Sequence, residues 1–155
     1  FNFMIKKNLK ILVLFFFVIN CGYSPIYSNQ NKTEIDIILK DVQGDISVNN
    51  LIKNQLFKYQ NTNAKKKYEV SIISSYDKSI LSKSTTGAVT NYRLTLNSIF
   101  NVKTKNSSKT INISESLDMK KEGSLFDEQN YEKLIKKDLI KIIIQKFIFE
   151  ITRME

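Results

Sequence analysis

From Tyr92 to Val102 apolar and polar residues alternate. Tyr92, Leu94, Leu96, Phe100 and Val102 fall on one side of an extended chain, and Asn91, Arg93, Thr95 and Asn97 on the other. A period of two sustained over this length predicts a β-strand with one buried face. Ser82–Ala88 before it is a turn-rich loop and Lys103–Lys109 after it a polar turn. Ile111, Ile113, Leu117 and Met119 then resume the alternation, so the two runs predict a long hairpin. Upstream, Tyr68, Val70 and Ile72 alternate with Glu69 and Ser71, and Ile35, Ile37 and Leu39 share one side of Glu34–Lys40, which predicts two further strands.

The period turns helical twice. Asn49–Tyr59 carries Leu51, Ile52, Leu56 and Tyr59 at helical spacing and predicts a short amphipathic helix capped by an Asn, after a turn at Gly44 and Asp45. Ser124-Leu-Phe-Asp127 resembles a capping box. Behind it Tyr131, Leu134, Ile135, Leu139, Ile142, Ile143, Phe147, Ile148 and Ile151 predict one long helix to the C-terminus. The second half of that helix is apolar around most of its circumference, so it lies across the sheet or meets a partner protein. Asn61–Lys67 is polar and basic, a connection with no sign of packing. Strand, helix, three strands and helix give an α+β two-layer sandwich, a four-stranded sheet packed against two helices.

The first twenty residues follow a different pattern. Lys6, Lys7 and Lys10 precede Ile11–Ile19, an apolar run of signal-peptide length and too short to cross a hydrocarbon core of ~30 Å. The run ends at Cys21, the only cysteine. Val18 suits the −3 position of a lipoprotein signal, whereas Asn20 at −1 is larger and more polar than the usual small residue. The expected organisation is a signal peptide over 1–20, a lipidated N-terminus and tether over 21–32, and a single domain over 33–155. Acyl chains such as palmitate on Cys21 would be its only prosthetic group. A buried free cysteine beside an uncleaved helix is the alternative.

Composition narrows the chemistry. Removing the three leader lysines from the formal charge of +9 leaves +6, and Arg93 and Arg153 are the only arginines among 24 basic residues. The lysines are scattered, and no motif for reading nucleic acid is present. With no histidine and one cysteine, the chain offers neither a Ser-His-Asp or Cys-His pair nor an ordinary His- or Cys-rich metal site. Asp36, Asp41 and Asp45 near a turn, and Asp127 with Glu128 at a helix start, read as structural carboxylates. No enzymatic activity is expected.

Four segments in order carry a resemblance: Cys21-Gly-Tyr-Ser-Pro-Ile-Tyr27, Leu51-Ile-Lys-Asn-Gln-Leu56, Ala88-Val-Thr-Asn-Tyr-Arg-Leu-Thr-Leu96, and the C-terminal helix introduced by Phe126 and Tyr131. Together they resemble the LptE family of lipopolysaccharide-assembly outer-membrane lipoproteins, in its alphaproteobacterial form, with Asn20 as the main departure. The resemblance implies a non-catalytic partner of a large LptD-like outer-membrane β-barrel. Such a partner acts as a plug, helps the barrel fold, and binds lipopolysaccharide. It would be lipid-anchored on the periplasmic side of the outer membrane, and Gly22 after the cysteine is similar to the sorting signal for that destination. Lys78 and Lys83, placed in the loop between the second and third strands, and the outward Arg93 are the candidates for contact with lipid A phosphates. Competing readings are an envelope lipoprotein that binds peptidoglycan or a secretion component, and a small anionic-lipid carrier. Each buried CH₂ of an acyl chain contributes ~0.8 kcal/mol to membrane attachment. Cys21→Ser should therefore move the protein from the membrane to the soluble fraction, and the mature wild-type chain should carry fatty acid in mass spectrometry.

Overall fold

A computed structural model describes residues 34–154. The expected signal peptide, Cys21 and the tether lie outside the described residues. The elements run β1 (Ile35–Gly44), α1 (Ile46–Leu56), a 3-10 turn (Phe57–Tyr59), β2 (Lys66–Lys83), β3 (Val89–Lys103), β4 (Ser108–Lys120) and α2 (Leu125–Thr152). The sheet order is β1-β2-β3-β4. β1 pairs parallel to β2, which requires a crossover, and α1 supplies it. The other pairs are antiparallel, with Leu96 opposite both Tyr76 and Glu115. Both helices pack on one face of the sheet, giving the α+β sandwich that the alternation predicts.

The core is the inward row of each strand plus one stripe of each helix. Val70 and Ile72 of β2, Leu94, Leu96, Phe100 and Val102 of β3, and Met119 of β4 meet Val48, Ile52 and Leu56 of α1 and Leu139, Ile143 and Phe147 of α2. Outward neighbours such as Arg93, Asn97 and Asn101 stay exposed. The α2 stripe also takes in Ile140 and Ile144, while Tyr131 and Leu134 are exposed. Residues 134 and 143 lie half a turn apart on the helical wheel, so both cannot face the sheet.

Three local expectations change. α1 starts at Ile46, because Asp45 and not Asn49 is its cap: Asp45 Oδ1 accepts from the Val48 amide at 2.8 Å. A carboxylate also suits the positive end of the helix. Asn49 is buried instead and accepts a 2.7 Å hydrogen bond from Ser74 Oγ. Secondly, β2 continues to Lys83, so Lys78 lies within a strand and not in a loop. Its inward row turns polar at Ser74, which hides the alternation. Thirdly, the connection after α1 is tied down. The Asn61 amide donates to buried Asp36 Oδ1 at 2.9 Å, and Ala64 is buried.

Gly44 closes β1 where it meets β2. Its φ is +101°, and a Cβ there would stand 1.8 Å from the carbonyl oxygen of Ser74. That carbonyl also accepts from the Asp45 amide at 3.2 Å, so the backbone of β2 is not free to retreat. Gly44→Ala combines a disfavoured backbone with a clash and should cost at least about 3 kcal/mol. Urea unfolding would read this as a lower midpoint at unchanged slope, with Gly87→Ala, in open space, as the milder comparison.

Candidate binding surface

The β2–β3 hairpin outruns its neighbours. β1 ends where Gly44 pairs with Ser74, whereas β2 continues nine residues further, from Ser75 to Lys83. On the other side β4 ends where Lys120 pairs with Asn91. The turn is built by Ser84 and Gly87: the Ser84 amide donates to the Ala88 carbonyl at 2.7 Å, the Gly87 amide donates to the Ser84 carbonyl at 2.9 Å, and Gly87 has φ +83°. Glycine meets that left-handed requirement without strain.

Lys78 points inward beneath α2. Its ammonium is 2.7 Å from Glu128 and 3.0 Å from Glu132, and it lies 4.2 Å from the centre of the Tyr92 ring. Glu132 also accepts from the Tyr76 hydroxyl at 2.8 Å and pairs with Lys136 at 3.0 Å, while the Lys136 ammonium sits 3.9 Å from the Tyr76 ring centre. Burial alone would lower the pKa of Lys78, but the carboxylates of Glu128 and Glu132 outweigh it and raise it. For Glu132 burial opposes the charge, and the bonds from Lys78, Tyr76 and Lys136 outweigh it and lower the pKa. The Tyr76 hydroxyl is pushed up, first by burial and then by its bond to Glu132. This cluster fastens the hairpin to the first half of α2.

Arg93 is one register step from Lys78 but on the opposite face, where its guanidinium is 2.9 Å from Asp118 of β4. Lys83 closes β2 and is exposed. The structure thus separates the three candidates: Lys78 inside a cluster, Arg93 in a cross-strand pair on the outer face, and Lys83 at the tip. It adds two lysines that the sequence reading passed over. Lys120 pairs in register with Asn91, and the Lys121 amide donates to the Thr90 carbonyl at 2.9 Å. Both lie beside the tip, ~10 Å across the sheet from Lys83 at normal strand spacing. Only the strand register brings them there, so no local signal marked them.

Apolar side chains stand exposed at the same end. Ile80 is 54% exposed, and Leu125 and Phe126, at the start of α2, are each 72% exposed. An edge of lysines beside exposed Ile, Leu and Phe suits an amphiphile with anionic heads and apolar tails. Among the described residues no group of three or more acidic, histidine or cysteine side chains could hold a metal ion.

The model for the LptE lipopolysaccharide-assembly family matches residues 28–151. No curated protein matches the chain in sequence. Among solved structures, rare lipoprotein B from Shewanella oneidensis is similar at a TM-score of 0.52 and 15% identity, covering 74% of this chain and 98% of that one. Lipoprotein B from Nitrosomonas europaea gives 0.45 at 12% identity over 76% and 84% of the two chains. A minor lipoprotein from Acinetobacter baumannii gives 0.40 at 14% identity over 70% and 91%. At this level the Shewanella protein is alike in fold, the same two-layer α+β arrangement.

The ionic cluster makes stability depend on pH. The folded pKa of Glu132 lies below its unfolded value of about 4.3, so its contribution is complete above that pH and is lost as pH falls through the folded value. Lys78 behaves in the opposite sense: its contribution is complete below about pH 10.4 and is lost as pH rises beyond it. Glu132→Gln should lower the melting temperature at neutral pH and flatten its decline in acid. Melting curves between neutral pH and the acid limb check this, and a decline parallel to wild type would exclude Glu132 as its source.

Proposed function

The chain belongs to the LptE lipopolysaccharide-assembly family, and from that premise we propose that it is the lipid-anchored partner and plug of an LptD-like outer-membrane β-barrel, meeting lipopolysaccharide at the tip of its β2–β3 hairpin. Membership makes it a non-enzymatic envelope lipoprotein with a role in lipopolysaccharide transport. The barrel partner, the anchoring at Cys21 and the contact residues are our reading.

The observation that carries it is the tip, where exposed lysines and exposed apolar side chains share one end of the domain. Lipid A presents phosphates above acyl chains, and Lys83, Lys120 and Lys121 beside Ile80, Leu125 and Phe126 match that order. Lys78 and Arg93 serve this reading as the ion pairs that hold the hairpin to α2 and β4. The outer sheet face supports the plug. Thr95, Asn97, Asn101, Thr110, Ser114 and Ser116 make it mostly polar and largely uncharged around the exposed cross-strand pair Ile73 and Ile99, with bonds such as Ser114 Oγ donating to Asn97 Oδ1 at 2.6 Å. The lumen wall of an outer-membrane barrel is polar, so such a face loses little on meeting it. Two clefts among the described residues, about 560 Å³ between α1 and α2 and about 670 Å³ between β4 and α2, are open and partly polar. A lipid carrier needs an enclosed apolar cavity, so these clefts weigh against the carrier reading.

Affinity capture from outer membranes should recover a large β-barrel as the main partner. Its absence would overturn the partner reading. Replacing Lys83, Lys120 and Lys121 by Gln should weaken lipopolysaccharide binding at low salt, with the difference fading as salt rises, because exposed charges are screened beyond ~10 Å at 0.1 M. Barrel capture should survive the triple replacement.

A further inference from the structure

The two helices run side by side, and Ser47, Asn50 and Leu51 of α1 share a cleft with Gln129, Lys133 and Lys136 of α2. On the helical wheel Lys137 and Lys141 of α2 fall outside its buried stripe, Lys133 lies at the cleft in line with Ile140 and Ile144, and Lys53 of α1 stands on the flank away from that cleft. All four are exposed, and none takes part in the ion pairs of the described residues. Most acids of α2 are engaged: Glu132 lines the cleft and pairs with Lys78 and Lys136, Glu128 pairs with Lys78, Glu150 with Lys109, and Asp127 meets the capping Ser124. Asp138 makes no ion pair among the described residues and points away from the buried stripe, next to Leu134 on the wheel.

Around the lysines folding leaves apolar side chains in water: Ile46 is 78% exposed, Phe57 71% and Leu134 57%. Ammonium groups with a phenyl ring and branched aliphatics between them suit a bilayer interface, where the first meet phosphates and the second enter the acyl boundary. We infer that the α1–α2 layer is a peripheral docking surface for an anionic phospholipid bilayer. No helix among the described residues is long and apolar enough to cross a membrane, so the helices lie on the surface. The outer sheet face around Thr95 and Ser116 carries almost no charge, and other exposed lysines gather at the hairpin tip and at the far end of the sheet around Lys67, Lys103 and Lys105. This surface goes beyond the barrel-partner reading and does not depend on it.

The test uses the Cys21→Ser chain, which removes the acyl contribution, with phosphatidylcholine vesicles that either contain or lack phosphatidylglycerol and are free of lipopolysaccharide. The chain should float with the phosphatidylglycerol vesicles at low salt and be released by high salt. Lys133, Lys137 and Lys141 replaced together by Gln, which keeps helix propensity, should reduce partitioning by about tenfold or more. Lys67, Lys103 and Lys105 replaced by Gln remove the same charge from the sheet and its far turn, and should leave binding within about twofold of the parent. Phe57→Ser with Leu134→Ser should weaken binding while circular dichroism stays unchanged. Equal loss from both lysine triples would reduce the effect to net charge and overturn the proposal. So would equal binding to vesicles without phosphatidylglycerol, or no binding to either. Barrel capture is a separate measurement, so failure here leaves the barrel reading standing.

Discussion

Phe100 of β3 and Phe147 of α2 stack with their ring centres 4.1 Å apart, at the middle of a sheet that has only one apolar face. Because the apolar side is single, both helices must compete for the same face. A 28-residue helix is ~42 Å long, whereas the 18 residues of β2 extend ~60 Å. The helix cannot cover the whole inward row of the longest strand. Where the cover thins, the row changes character, from Val70 and Ile72 to Tyr76 and Lys78, which bind the first turns of α2 through Glu128 and Glu132. Beyond them Ile80 is left exposed, and the proposed contact end begins there.

The same mismatch explains what could be read from the sequence. β3 was legible because its neighbours cover one side only, so its alternation survives nearly intact from Tyr92 to Val102. The second half of β2 was not. Ser74, Tyr76 and Lys78 face inward but are satisfied by Asn49, Glu132 and Glu128, partners 25, 56 and 50 residues away. A local window sees only polar residues there and reads a loop. The cap of α1 failed for a different reason. Asp45 and Asn49 are both capping types, and the close approach of Gly44 to Ser74 selects the first. Of the contact end, Lys83 was legible from the turn-rich segment beside it. Lys120 and Lys121 were not, because only the β3–β4 register places them next to Asn91 and Thr90.

Folding also sorts the charge. Acidic side chains are taken up between elements: Glu115 of β4 pairs with Lys146, Glu150 of α2 with Lys109, and Asp118 with Arg93. Each pair is at least partly exposed and contributes little to stability, because solvent screens it. Their larger consequence is spatial. Because many acids turn toward neighbouring elements, the excess of lysine that composition reports as one number is expressed at the hairpin end, at the far end of the sheet around Lys67, Lys103 and Lys105, and along the helices, while the centre of the outer sheet face stays almost neutral. Three surfaces of different chemistry on one small domain fit a protein that makes several contacts at once, and none of them requires a catalytic group.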